Sequence, residues 1–151
     1  MDKQHLILIV EDSDDDFNIT VRALKKSGAK VTINRCEDGD LALDYLFQRG
    51  RYADPETAPR PDIILLDLNL PGTDGKEVLS ILKVDPVLKE IPVIVMTTSS
   101  DPRDIERCYH FGANSYVQKP VGFDNYMEAI KRIQSFWLDV ATMPTGDHYD
   151  G

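Results

Sequence analysis

Two kinds of hydrophobic pattern alternate along the chain. Leu6–Val10, Val31–Ile33, Ile63–Leu66, Val93–Met96 and Tyr116–Val117 are short continuous apolar runs bounded by polar residues. Runs of that length predict strands covered on both faces. Between them, apolar residues recur at helical spacing. Phe17, Val21 and Leu24 share a stripe over Asp14–Lys26, and Leu43, Leu46 and Phe47 over Gly39–Phe47. Val78, Leu79 and Leu82 do so over Gly75–Lys83, and Ile105, Cys108 and Tyr109 over Asp101–Phe111. Tyr126, Ile130, Ile133, Trp137 and Val140 complete the series over Asn125–Val140. Each stripe predicts an amphipathic helix.

The breaks agree with this division. Asp38-Gly39 and Asp101-Pro102 read as helix starts, the latter with proline in the first turn. Gly112 stands where the fourth helix should stop. Gly50, Pro55, Pro59 and Pro61 make residues 50–61 a loop. No repeat or low-complexity tract interrupts the pattern. Five β-then-α units in series imply an α/β fold, with a parallel sheet, helices on both faces and right-handed crossovers. The strand order is not readable from the pattern itself. In a doubly wound sheet, ligands sit at the carboxyl ends of the strands.

Composition narrows the class. The 151 residues suit one domain, expected over 1–143 with a frayed tail at 144–151. Hydrophobic residues at 42% and charged residues at 28% fit a globular chain. A net charge of −9 disfavours binding to nucleic acid. Cys36 and Cys108 form no zinc or C-x-x-C spacing and read as reduced thiols. Met1–His5 is polar and precedes only five apolar residues, too few for a secretion signal or a membrane span. The expectation is a cytoplasmic protein with no membrane contact.

The strand ends carry the candidate chemistry. Glu11 and Asp12 follow the first strand, with Asp14, Asp15 and Asp16 close behind. Asp67 follows the third strand, within Leu66-Asp67-Leu68-Asn69-Leu70-Pro71-Gly72. Thr97 and Thr98 follow the fourth, and Lys119-Pro120 the fifth. Clustered carboxylates repel unless a cation is present, and a hard divalent ion such as magnesium takes such oxygens. An aspartate beside that ion can attack phosphorus. A lysine and a hydroxyl can hold the charge spread over a transferring phosphoryl group. Singly, each feature has a plainer explanation: a solvated loop, a strand-to-loop aspartate, turn hydroxyls, a surface lysine. Asp14–Asp16 also suit the start of the first helix, as cap and dipole partners. The weight lies in their placement on one rim.

The set Glu11-Asp12, Asp67, Thr97 and Lys119-Pro120, with thirty residues from Asp67 to Thr97 and twenty-two from Thr97 to Lys119, resembles the receiver domains of bacterial response regulators. The resemblance spans about residues 5 to 138. It implies the flavodoxin-like fold, a doubly wound (βα)5 with a five-stranded parallel sheet in the order 2-1-3-4-5. It implies Asp67 as phosphoacceptor, with Asp12 a direct magnesium ligand and Glu11 acting through water. Mn2+ or Ca2+ are possible substitutes for magnesium, and Asn69 would add its carbonyl. Lys119 would pair with the phosphoryl group, and Pro120 would follow a cis peptide bond. Thr97 and Tyr116 resemble the switch pair, acting on the face of the fourth helix, fifth strand and fifth helix. Asn69 and Ser99 occupy positions that tune dephosphorylation in the family.

A narrower resemblance rests on Arg51-Tyr52-Ala53-Asp54, on Asp67-Leu68-Asn69-Leu70-Pro71 and on Ser135-Phe136-Trp137-Leu138. These segments look like the small response regulators paired with phytochromes. They imply a red-light-sensing histidine kinase as phosphodonor and a homodimer through the fourth-to-fifth helix face. The last stripe, at spacings of 4, 3, 4 and 3, is compatible both with packing on the sheet and with a helix seam between chains. Phe123, Met127, Phe136 and Leu138 add apolar residues off that stripe, which favours a second contact.

Three other classes fit less well. An aspartate-dependent phosphohydrolase resembles D-x-D after its first strand, whereas Asp67 follows the third and Asn69 replaces the acid/base. A flavodoxin-like carrier needs an uncharged phosphate loop where Glu11–Asp16 stand. A transcription factor needs a DNA-binding domain, and 14 residues remain after Trp137. His5, His110 and His148 form no cluster in sequence, and His110 reads as a surface helix residue.

Overall fold

Continuous apolar strands need cover on both faces, and the helices supply it. The computed structural model describes residues 4–28 and 30–144. The strands are β1 (His5–Val10), β2 (Val31–Cys36), β3 (Ile63–Leu66), β4 (Val93–Thr97) and β5 (Ser115–Gln118). All pair in parallel, in the order β2-β1-β3-β4-β5. The crossovers are α1 (Asp14–Lys26), α2 (Gly39–Phe47), α3 (Gly75–Val84) and α4 (Pro102–Phe111), and α5 (Phe123–Gln134) ends the series. This is the expected flavodoxin-like fold and strand order.

Strand alternation divides the core into two layers. Leu8, Val10, Ile64, Leu66, Val93 and Val95 pack with Leu43, Leu46, Val78, Leu79, Leu82 and Cys108 of α2, α3 and α4. Ile7, Ile9, Ile63, Leu65, Ile94 and Met96 pack with Leu24 of α1 and with Tyr126 and Ile130 of α5. Each fully buried leucine or isoleucine contributes about 1.5–3 kcal/mol. Cys36 and Cys108 are free and buried, and His110 is exposed on α4.

The helix starts are set by side-chain caps. Asp38, Asp74 and Asp101 accept main-chain N–H groups at the starts of α2, α3 and α4. Gly112 ends α4 at φ 106°, a left-handed conformation that suits glycine. At α1 the cap is Ser13, not one of the aspartates, and Asp14, Asp15 and Asp16 fill the first turn.

The boundaries depart most from expectation in three places. β2 runs on through Asn34, Arg35 and Cys36, since an edge strand tolerates polar residues on its half-exposed faces. A 3-10 turn, Gly50–Tyr52, sits inside the proline-rich loop. The last helix starts at Phe123, and its α-helical part stops at Gln134, giving way to a π-helical turn over Ser135–Val140. The proposed tail falls, from residue 145 on, outside the described residues. Among the described residues no helix is long and apolar enough to cross a membrane.

Candidate phosphoacceptor site

The main chain continues its pairing one residue beyond the strand ends, and this fixes the site residues. The Glu11 N–H donates to the Cys36 carbonyl at 3.0 Å and the Asp67 N–H to the Val10 carbonyl at 3.0 Å. The Lys119 N–H donates to the Thr97 carbonyl at 2.7 Å. The three side chains therefore leave the rim at fixed points. Gly75 lets α3 approach closely, because a Cβ there would lie 2.2 Å from the Asp67 carbonyl oxygen.

The structure brings Glu11, Asp12, Asp67 and Lys119 together. Glu11, Asp67 and Lys119 are only 5%, 6% and 9% exposed, while Asp12 faces solvent. Lys119 Nζ donates to Glu11 Oε1 at 2.6 Å, to Asp16 Oδ2 at 2.7 Å and to Asp67 Oδ2 at 3.2 Å. Asn69 meets the site through its N–H, which donates to Asp67 Oδ1 at 3.3 Å. Burial pushes the Glu11 carboxyl up to about 7; the Lys119 hydrogen bond opposes this and the Asp67 charge adds to it. Burial opposes the Lys119 ammonium, yet its hydrogen bonds to Asp16 and Glu11 outweigh that and hold its pKa above the ordinary lysine value.

These residues fit a divalent cation. One carboxylate oxygen each from Glu11, Asp12 and Asp67 lie within 4.8 Å of one another. Opposite ligands of an octahedral magnesium ion, at about 2.1 Å each, are separated by ~4 Å. A hard ion therefore suits this all-oxygen set. It would also offset the local excess of carboxylates over the Lys119 ammonium.

Thr97 is fully buried at the end of β4, and its hydroxyl oxygen accepts the Ser99 N–H at 3.4 Å. Tyr116 is half-buried on β5, with its hydroxyl donating to the Ser99 carbonyl at 2.9 Å. Burial raises the Tyr116 phenol above its usual pKa. The Lys119–Pro120 peptide is trans, which corrects the cis bond expected there. The two isomers of an X-Pro bond differ by only about 0.5–1 kcal/mol, so the residue type does not choose between them. The strand-end hydrogen bond to Thr97 aims Lys119 instead.

Sequence reasoning missed the contacts made by Asp16, Arg35, Lys76 and Asp104. Asp16 reaches Lys119, although its local pattern suggested only a helix start. Arg35 donates Nε to the Glu11 carbonyl at 3.0 Å, pairs with Asp14 at 2.9 Å and lies over the Phe17 ring at 4.5 Å. Lys76 of α3 and Ser99 both bind Asp104 of α4, at 2.9 Å and 2.6 Å. All but the Ser99–Asp104 bond join segments distant in sequence, and only the acid run before Phe17 hinted at any of them.

Comparison with known proteins agrees with this arrangement. Residues 7–131 match the response regulator receiver domain profile. The response regulator Rcp1 of Synechocystis sp. is 41% identical over 139 residues, covering 92% of each chain. The probable methanogenesis regulatory protein FilR2 of Methanothrix harundinacea is 38% identical over 133 residues, covering 88% of this chain and 83% of that one. The phosphorylated cyanobacterial phytochrome response regulator RcpA superposes with a TM-score of 0.90 at 41% identity, covering 95% of this chain and all of that one. The Mn2+-bound form of Rcp1 superposes with a TM-score of 0.88 at 40% identity, covering 93% and 99%.

Proposed function

The chain belongs to the response regulator receiver domain family, and on that premise we propose that Asp67 accepts a phosphoryl group from a partner histidine kinase. The observation that carries this is the buried Lys119 ammonium hydrogen-bonded to Asp67 at the carboxyl rim of the sheet. An Asp67 oxygen bonds to phosphorus as the donor's P–N bond breaks, and the donor imidazole takes a proton from solvent. Lys119 holds an equatorial oxygen of the transferring group, and the Thr97 hydroxyl binds another once it turns inward. Asp12, Asp67, the Asn69 carbonyl and, through water, Glu11 would hold a divalent cation, magnesium first and Mn2+ or Ca2+ as substitutes, which when bound neutralises phosphoryl charge. The chain acts as a signalling phosphoacceptor, catalysing only its own phosphorylation and dephosphorylation.

Output follows from the same geometry. Turning Thr97 toward the phosphoryl group disturbs the loop that holds the Tyr116 hydroxyl, and Tyr116 repacks inward. The changed face is α4–β5–α5, and we assign it a homodimer contact. Support comes from Tyr109 of α4, a large residue 51% exposed whose hydroxyl accepts the Tyr116 N–H of β5 at 3.0 Å, so that it stands on that face. The phytochrome link is supported by the cyanobacterial phytochrome regulator RcpA and by a regulator described in red light signaling of R. palustris, which is 35% identical. Residues 1–143 form the receiver unit in this reading, which works in the cytoplasm without nucleic acid.

The test is phosphotransfer from an autophosphorylated phytochrome-type kinase in magnesium. Label should pass to the wild type and not to Asp67→Asn. Label passing to neither protein would refute the phytochrome partner.

A further inference from the structure

We infer that Asp16 is a brake on phosphoryl transfer, occupying the Lys119 proton that the incoming phosphoryl group needs. The inference rests on the reading of Asp67 as acceptor. Asp16 is the third residue of α1, where an acidic side chain ordinarily reaches back to the N–H of the capping residue. Here the N–H of the cap, Ser13, donates to Glu11 Oε2 at 3.3 Å. The Asp16 carboxylate instead crosses to Lys119 at 2.7 Å, 103 residues along the chain.

An ammonium carries three N–H donors, and three carboxylates take them. The contacts to Glu11 and Asp16, at 2.6 Å and 2.7 Å, have the length of strong charge-assisted bonds, while that to Asp67 is 3.2 Å. Lys119 is thus drawn toward β1 and α1 and away from the acceptor. To bind a phosphoryl oxygen it must release a partner. Glu11 and Asp67 are buried, whereas the Asp16 side chain is 28% exposed and can exchange its bond for water. Asp16 is the partner that yields, and its hold adds to the barrier. An ion pair exposed to this degree has modest strength, which sets the size of the effect.

The experiment measures initial rates of phosphorylation of the whole chain by acetyl phosphate at saturating magnesium, read by intact mass, with a melting curve for each variant. Asp16→Asn and Asp16→Ala should react roughly two- to five-fold faster than wild type. Asp16→Glu should return the rate to the wild-type value. Asp15→Asn removes an equal charge from an exposed residue in the same turn and should leave the rate unchanged. Folded Asp16 variants that react no faster than wild type, or an Asp15→Asn that accelerates as much, would overturn the inference alone. A wild type that takes up no phosphoryl group would overturn the acceptor reading, and the inference with it.

Discussion

The Tyr116 hydroxyl donates to the Ser99 carbonyl at 2.9 Å, so the β5 side chain is fastened to the loop that follows Thr97. The Ser99 N–H in turn meets the Thr97 hydroxyl oxygen at 3.4 Å, so the same residue touches both side chains. Tyr116→Phe removes the donor and keeps the ring. It should lower unfolding free energy by about 1 kcal/mol in urea titration, since the Ser99 carbonyl is left with one partner fewer.

Asp104 gives the pH dependence. Its carboxyl is held below the usual aspartate value first by the Ser99 hydroxyl and then by Lys76. A depressed folded-state pKa means that the unfolded chain binds the proton more readily. The resulting stability is therefore complete above the ordinary aspartate value of 3.8 and is lost as pH falls through the lower folded value. Melting temperatures of wild type and Asp104→Asn should differ at pH 6 and converge as the solution is acidified toward the folded-state pKa. A gap that widened in acid would contradict the assignment.

Gly75 is a steric requirement of the site. A Cβ there would also lie 2.6 Å from Leu68 Cα, so α3 or the Asp67 loop must shift. Gly75→Ala should cost about 1–3 kcal/mol and weaken divalent-ion binding measured by calorimetry. Unchanged affinity with unchanged stability would show that the close approach is not needed.

The acidic cluster should make stability depend on the cation. At a hundredfold excess of magnesium over its dissociation constant the folded state gains about 2.7 kcal/mol. For a chain of this size that is a rise of roughly 5–11 °C in melting temperature. A chelator should reverse it, and Asp12→Asn should largely abolish it.

The fold was legible wherever burial is two-sided, because β1, β3 and β4 are unbroken apolar runs that admit few other placements. Asp38, Asp101 and Gly112 marked helix ends through local chemistry and were equally readable. The end of α5 was not, since a stripe spaced by fours and threes is the same whether Ser135–Val140 winds as an α- or a π-helix. Of the candidate site, Glu11, Asp12, Asp67 and Lys119 were foreseeable from their places at strand ends. Asp16 was not, because its partner lies across the fold and the residue has a sufficient local explanation in the first turn of α1. The cis bond before Pro120 was expected by resemblance and is absent, a choice between near-equal isomers that residue identity does not make.

In the proposed chemistry one carboxylate, Asp67, is the nucleophile toward phosphorus. Acetyl phosphate and magnesium followed by intact mass of the folded chain test it without a partner protein. The wild type should gain a single phosphoryl group that is lost in hydroxylamine, and Asp67→Asn should gain none. A folded wild type with no adduct, or an adduct of equal yield in Asp67→Asn, would rule out Asp67 as the phosphoacceptor.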